Sequence, residues 1–317
     1  MSGVGWKDGM NTSVVEDPIK SYSAEEFIQA ISPLGPCFKQ YSPDAPFLFR
    51  GHGRDSYRLI ASALRSDYPL SKVTKHKCDS YASRVLAERD ALVDFFLLAD
   101  KRGLALPDDS QQIRILLETH RSDLGEATIK SGSADNRWPD DNLLSLLALA
   151  QHYGLPTRLL DWTRSAFIAA YFAAEDAIKH ETETNEELTV WALHYPAMGT
   201  LHGIERWSEP LIIVTAPSAS NPNLMAQQGA FTKVGFVNVG IEEIDRLSLD
   251  EVLVAAATTG HKNAKSSKMF RFTLPQQEAR KLLWLLAKMD ITASTVRPGY
   301  AGIVAELEQR ALWVSDH

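Results

Sequence analysis

Apolar residues recur along this chain with two periods, and the balance between them changes past the middle. The helical period dominates the first half. Ser23 with Glu26 three residues on resembles a capping box, and Phe27, Ile28 and Ile31 give the short helix behind it an apolar face that Pro33, Gly35 and Pro36 end. A long helix is expected from Cys78 to Lys101, with Val85, Arg89, Leu92 and Phe96 on one face and Val93 and Leu97 widening it. A second follows from Ser110 to Thr119 and leads into a polar loop or insertion, Arg121 to Arg137. Asp140 or Asp141 caps a helix through Leu143, Leu144, Leu147 and Ala150, with Gly154 as its stop and Pro156 barring continuation. An Ala-rich helix runs from Ser165 to Lys179.

Strand signals begin with Phe47-Leu48-Phe49-Arg50, stopped by Gly51 and Gly53, and return at Thr157 to Trp162 as a short strand or extended turn. Tyr57 to Arg65 fits neither period. After an acidic loop, Glu181 to Glu187, strands dominate: Leu188 to Tyr195, Leu211 to Ala216, Phe231 to Val239 and Met269 to Leu274, interrupted by a helix at about Ile241 to Ala256. Pro275 opens a helix with Leu282, Leu283, Leu286 and Met289 inward, Ile291 to Val296 reads as a last strand, and Tyr300 to Leu312 as a last helix. Helices mostly first and strands mostly later predict an α+β fold, a mixed or antiparallel sheet core with flanking helices, rather than a doubly wound parallel sheet. We expect a flexible lead-in over 1–20 and a single domain over 21–317, with a helical insertion at 66–140.

Composition narrows the class. At 44% hydrophobic and 23% charged residues, the 317-residue chain is globular. Its net charge of -7 argues against gripping duplex phosphates as the main task, while leaving room for a local basic patch. Two cysteines, Cys37 and Cys78, cannot build a disulfide scaffold, so no disulfide partner is expected. With no signal-like start and no membrane-length apolar run, a cytoplasmic protein without membrane partners is expected. Neither a dinucleotide fingerprint, a phosphate loop, a nucleophile elbow nor a zinc helix is present, and no metal site is predicted.

Candidate chemistry concentrates at Gln151 to Thr163. Gln151, His152, Thr157, Arg158, Asp161 and Thr163 crowd thirteen positions between apolar helices, so they form either a closed network or a site. His152 and Tyr153 sit at a helix end, where the dipole favours a bond from His152 to the last carbonyls over a proton-carrier role. Arg158 and Asp161 would face opposite sides of a regular strand, so Asp161 is expected to accept backbone N–H groups or to meet Arg50 or Arg65. Arg50, at the end of an apolar strand before Gly51, suits phosphate or carboxylate, or else a structural ion pair. Gln227-Gln228-Gly229 places two amides before a strand, where they read a planar polar ligand or pair with backbone. The scattered Trp191, Trp207, Trp284 and Trp313 are expected in or near the core.

These residues carry a resemblance. Phe49-Arg50-Gly51, Tyr57-Arg58-Leu59 and Ala63-Leu64-Arg65 resemble the start of the FRG domain. Ala150 through Thr163, followed by Ala170-Tyr171-Phe172-Ala173, is similar to its central signature, and Gln228-Gly229-Ala230-Phe231 to its third block. A more distant resemblance to ADP-ribosyltransferases implies that such a chain uses NAD. Arg50 would hold its phosphate or ribose, and Leu160-Asp161-Trp162-Thr163 would take the bracing strand's place. Gln228 stands where a glutamate is the rule. The resemblance implies Arg50, Asp161 and Gln228 as the catalytic set, and Arg50, Gly51, His152, Tyr153, Thr157, Arg158, Trp162 and Thr163 as the nucleotide-binding set. It implies an ADP-ribosyltransferase-like toxin or phage-defence effector with a macromolecular acceptor. The amide at Gln228 supports the alternative, a non-catalytic sensor that binds a nucleotide, a nucleic-acid end or a protein partner.

Overall fold

The computed structural model describes residues 13–42, 44–65, 70–120, 138–180, 186–197, 208–214, 222–235 and 245–313. Seven strands form one sheet: β1 (Ile19–Lys20), β2 (Phe47–His52), β3 (Leu160–Thr163), β4 (Glu187–His194), β5 (Leu211–Val214), β6 (Gly229–Val234) and β7 (Lys268–Pro275). Their order is β1-β7-β4-β2-β3-β6-β5; β1 runs parallel to β7 and every other pairing is antiparallel. The sheet is therefore mixed, with helices on both faces, as its alternating sequence predicts.

The period-2 pattern sorts side chains to opposite faces. Phe49, Val190, Ala192, Phe270 and Phe272 face the helices α1 (Ala24–Ile31), α5 (Ala166–Lys179) and α9 (Ala279–Ala287). Leu48, Trp191, Leu193 and Met269 face the other way, toward Leu249 and Leu253 of α7 (Leu249–Thr258). A further cluster joins α2 (Tyr81–Lys101), α3 (Gln111–His120) and α4 (Leu144–His152) to β5 and β6 through Leu92, Phe96, Leu147, Ile212 and Phe231. Burying each such side chain contributes about 1.5–3 kcal/mol. The remaining helices are α6 (Pro222–Ala226), α8 (Lys262–Lys265), α10 (Ala293–Val296) and α11 (Tyr300–Trp313).

Local signals account for most element ends. Ser23 caps α1 by accepting Glu26 N at 3.3 Å, and Glu26 reaches back to Tyr22 N at 2.9 Å. Ser80 and Ser83 form a reciprocal box ahead of α2. Within the expected lead-in, Val14 accepts from Met269 N at 2.8 Å, so 13–20 lie along β7. Trp191 is buried and Trp284 half-buried; Trp207 and the Trp313 side chain lie outside the described residues, as do the 121–137 loop, 181–185 and the ends of the predicted strands past Val214 and Gly235. Of the helix predicted from Ile241, residues 241–244 lie outside the described residues, 245–248 are turn, and α7 starts at Leu249.

Within the predicted strand Ile291 to Val296, residues Ala293–Val296 form helix α10 instead, capped at Thr292. The β-branched run is overruled by capping: Thr292 and Thr295 form a reciprocal box, and the hydroxyls of Thr292 and Ser294 both donate to Glu306 on α11. Those hydroxyls, with Arg310 adding to them, hold the Glu306 carboxyl down to about 2 although burial acts the other way. The folded value lies below the ordinary 4.5, so this stabilisation is complete above that pH and is lost as pH falls toward 2. Glu306→Gln should accordingly be less stable at neutral pH and show a shallower stability loss between those pH values, measured by thermal unfolding across an acid series.

Candidate functional site

The site is built where β2 and β3 part. They pair at Phe49 and Thr163 alone. One residue further along β2, the Arg50 side chain replaces the ladder: its Nη1 donates to the Asp161 carbonyl oxygen at 2.6 Å. Arg50 and His52 project from the same face, and Arg50 Nε donates to His52 Nε2 at 3.0 Å. An accepting Nε2 assigns the ring proton to Nδ1. That nitrogen is buried and makes no well-formed hydrogen bond. The guanidinium is thus held from two sides, and its Nη2 has no partner among the described residues.

Arg50 and His52 open into a cleft of about 860 Å³. Five arginines line it (Arg50, Arg58, Arg65, Arg84 and Arg246) against three carboxylates (Glu175, Asp176 and Asp245), in a chain whose net charge is -7. The carboxylates are already engaged. Glu175 pairs with both guanidinium nitrogens of Arg297 and with Lys179 at 3.1 Å, which together hold its carboxyl below the ordinary value against its burial. Asp176 accepts Gly53 N and pairs with His180, both at 3.0 Å. Asp245 binds Arg84 at 2.9 Å and Arg158 at 3.3 Å. Arg58 pairs with Glu251 at 2.5 Å.

Arg50 and Arg65 are less well compensated. Among the described residues the nearest carboxylate to Arg50 is Asp161 Oδ2 at 3.8 Å, and Arg65 spends only its Nε, on the Ile60 carbonyl at 2.9 Å. Burial lowers the Arg50 pKa, Asp161 offsets this, and Arg65 opposes Arg50 as a like charge. The same burial, then Arg50 and Arg65, push His52 well below its ordinary value, so it is neutral at physiological pH; the Tyr57 backbone acts weakly the other way. Tyr57, 40% exposed, and Phe172 give the cleft aromatic walls.

The dense polar block divides between this site and the scaffold. Asp161 meets Arg50, as its alternation anticipates, and accepts Gln151 Nε2 at 2.5 Å; Gln151 in turn accepts the Thr157 hydroxyl. Thr157 is buried and also accepts Leu159 N at 3.1 Å. Arg158 forms a two-pronged pair with Glu88 of α2 at 2.6 and 2.7 Å; burial works against its charge, but Glu88 and Asp245 outweigh it and raise its pKa. Trp162 donates to Thr232 Oγ1 at 2.9 Å and Thr163 to the Gln227 carbonyl at 2.7 Å. His152 contacts Asn223 at 3.1 Å, and Tyr153 is exposed. Neither His152, Tyr153 nor Gln228 lines the cleft; Gln228 borders a separate groove on the opposite face of β2. Gly51 lines the cleft, and its missing side chain also leaves room for α5, since a Cβ would lie 2.0 Å from the Ala169 oxygen.

Sequence reasoning missed His52, Arg84 and Arg246. The i, i+2 spacing of Arg50 and His52 was the available signal for the first; the other two arrive from distant segments. Among the described residues no group of three or more His, Cys, Asp or Glu is placed to hold a metal, no helix is long and apolar enough to cross a membrane, and both cysteines are free.

Residues 45–182 match the family model of the FRG domain. This FRG-domain stretch, less than half of the chain, takes in β2, α2, α3, α4, β3 and α5, and so includes both strands that part at Arg50. The Gln228 block lies outside it. No curated protein and no solved structure gives a significant match.

Proposed function

We propose that the protein binds a diphosphate-bearing nucleotide, NAD or a relative, in the Arg50 cleft and acts as a nucleotide sensor. One observation carries this reading: Arg50 is largely buried beside Arg65, with its nearest carboxylate 3.8 Å away and an open cleft in front of it. An under-compensated buried guanidinium is costly. A phosphate relieves that cost and accepts from the free Arg50 Nη2 and from Arg65, while Tyr57 and Phe172 offer surfaces for a base. The cleft's own carboxylates are engaged by internal partners, which favours binding over bond cleavage.

Calorimetric titration of NAD and ADP-ribose tests it. Wild type should bind both, more weakly as salt rises. Arg50→Ala should weaken binding roughly 10- to 100-fold, the value of one or two charge-assisted hydrogen bonds. Asp161→Asn should change the melting temperature little, because that side chain is 61% exposed. No binding of either nucleotide at millimolar concentration sinks the reading.

The second reading is ADP-ribosyl transfer by a toxin or phage-defence effector, favoured by the Asp161 carboxylate beside Arg50. The ribose–nicotinamide bond would break, neutral nicotinamide would leave with the bonding electrons, and an acceptor nucleophile would take the ribosyl carbon. A carboxylate stabilises that developing positive charge better than an amide does. Turnover of labelled NAD in cell lysate that Asp161→Asn abolishes would select this reading over the sensor.

A further inference from the structure

Gln228 has a place in the fold that the nucleotide cleft does not explain. Its neighbour Gln227 serves the scaffold, donating to the Val296 carbonyl at 3.1 Å and accepting the Thr163 hydroxyl on its own carbonyl. The Gln228 amide makes no hydrogen bond among the described residues. Its backbone is nevertheless pinned, N to Met225 O and O to Arg164 N, both 3.0 Å, at φ 48°, a conformation that side chains disfavour. Glycine would adopt it without that strain. A strained residue with a free amide points to a use for the side chain.

The amide borders a groove of about 790 Å³ between the 33–46 loop, β2 and the turn into α5. β2 alternates, so Phe47 and Phe49 face this groove while Arg50 and His52 face the nucleotide cleft. Phe47 packs against Phe38 at 5.1 Å, Tyr41 at 4.9 Å and Phe49 at 6.1 Å between ring centroids, making an aromatic floor. Lys39 and Arg164 stand at the rim with Gln228. All three are exposed, and none has a side-chain partner among the described residues. Not one carboxylate lines the groove.

We propose that this groove is a binding site for a planar aromatic carboxylate, independent of the nucleotide cleft. The ring stacks on Phe47 and its neighbours, which takes flat apolar surface from water. The carboxylate accepts from Arg164 and Lys39, the charged residues that line the groove among those described, and the Gln228 amide donates to the same end of the ligand.

The probe is 2-naphthoate, titrated into the full chain by calorimetry. Saturable one-site binding is expected, and neutral 2-methylnaphthalene should bind at least about tenfold more weakly, the value of one charge-assisted contact. Arg164→Glu should weaken 2-naphthoate by about tenfold or more. Gln228→Gly should weaken it roughly threefold while raising the melting temperature, because the strain is relieved. Arg50→Ala should leave it unchanged. The proposal is overturned by non-saturable binding, by equal affinity for the neutral ring, by indifference to Arg164→Glu, or by loss of binding in Arg50→Ala. A lowered melting temperature in Gln228→Gly also overturns it, since the side chain would then be a structural brace.

Discussion

Glu88→Ala is expected to destabilise the protein by about 3–5 kcal/mol, the cost of removing one member of a buried charge pair. Glu88 is only 1% exposed at its side chain and takes two hydrogen bonds from Arg158, which is 10% exposed. It also accepts Trp138 Nε1 at 2.9 Å. Without it, Arg158 keeps one ion pair, the longer one to Asp245 at 3.3 Å, and its stacking over Tyr81, and the indole donor is orphaned. The network joins α2, the segment before β3, and Asp245 beside α7, so its loss loosens three elements together. Urea unfolding should show a lower midpoint at an unchanged slope. A Glu88→Leu/Arg158→Met double variant should recover much of the loss, because an apolar pair leaves no buried charge unmatched. If Glu88→Ala costs under about 1 kcal/mol, the pair is solvated and Arg158 is available to a ligand after all.

Gly51→Ala is the second large expected effect. The added Cβ would lie 2.0 Å from Ala169 O and 2.8 Å from Ala173 N, both backbone atoms of α5. Neither can rotate away, so β2 and the helix must separate, at about 3 kcal/mol or more, the upper end of overpacking costs. Because Arg50 precedes Gly51 on that strand, displacement also moves the guanidinium off the Asp161 carbonyl. Nucleotide affinity should fall with the melting temperature, and the two losses should appear together in one variant. An unchanged melting temperature would mean that the strand and helix are looser than these contacts describe.

What could be read from the chain follows the range of the forces involved. Ser23 and Gly154 act within a few residues, and the helix start and stop they set are where local rules put them, whereas the long helix expected from Cys78 starts at Tyr81, behind Ser80. The strand through Arg50 was legible because alternation is local too, but it runs on through Gly51 to His52 and does not stop at the first glycine. The Ile291 to Val296 error came from weighing β-branched propensity above a cap whose partner, Glu306, lies on another helix. The same limit governs the site. Arg158 looks like a ligand residue beside Asp161 until Glu88, seventy positions earlier, is seen to take it. Gln228 follows the spacing of a site residue, yet it lies beside the aromatic groove and not the arginine cleft. Arg84 and Arg246 reach the cleft from segments with no shared motif, so only the assembled fold reveals their company with Arg50 and Arg65.

The central claim is that a diphosphate sits between Arg50 and Arg65, and nitrogen–proton NMR of the arginine Nε–H groups, assigned by single Arg→Lys variants, tests it most directly. Adding ADP-ribose should shift the Arg50 and Arg65 signals together, saturating at one equivalent, and leave Arg164 unmoved. Saturating shifts confined to arginines outside the cleft, or no shift at millimolar ligand, would contradict the account.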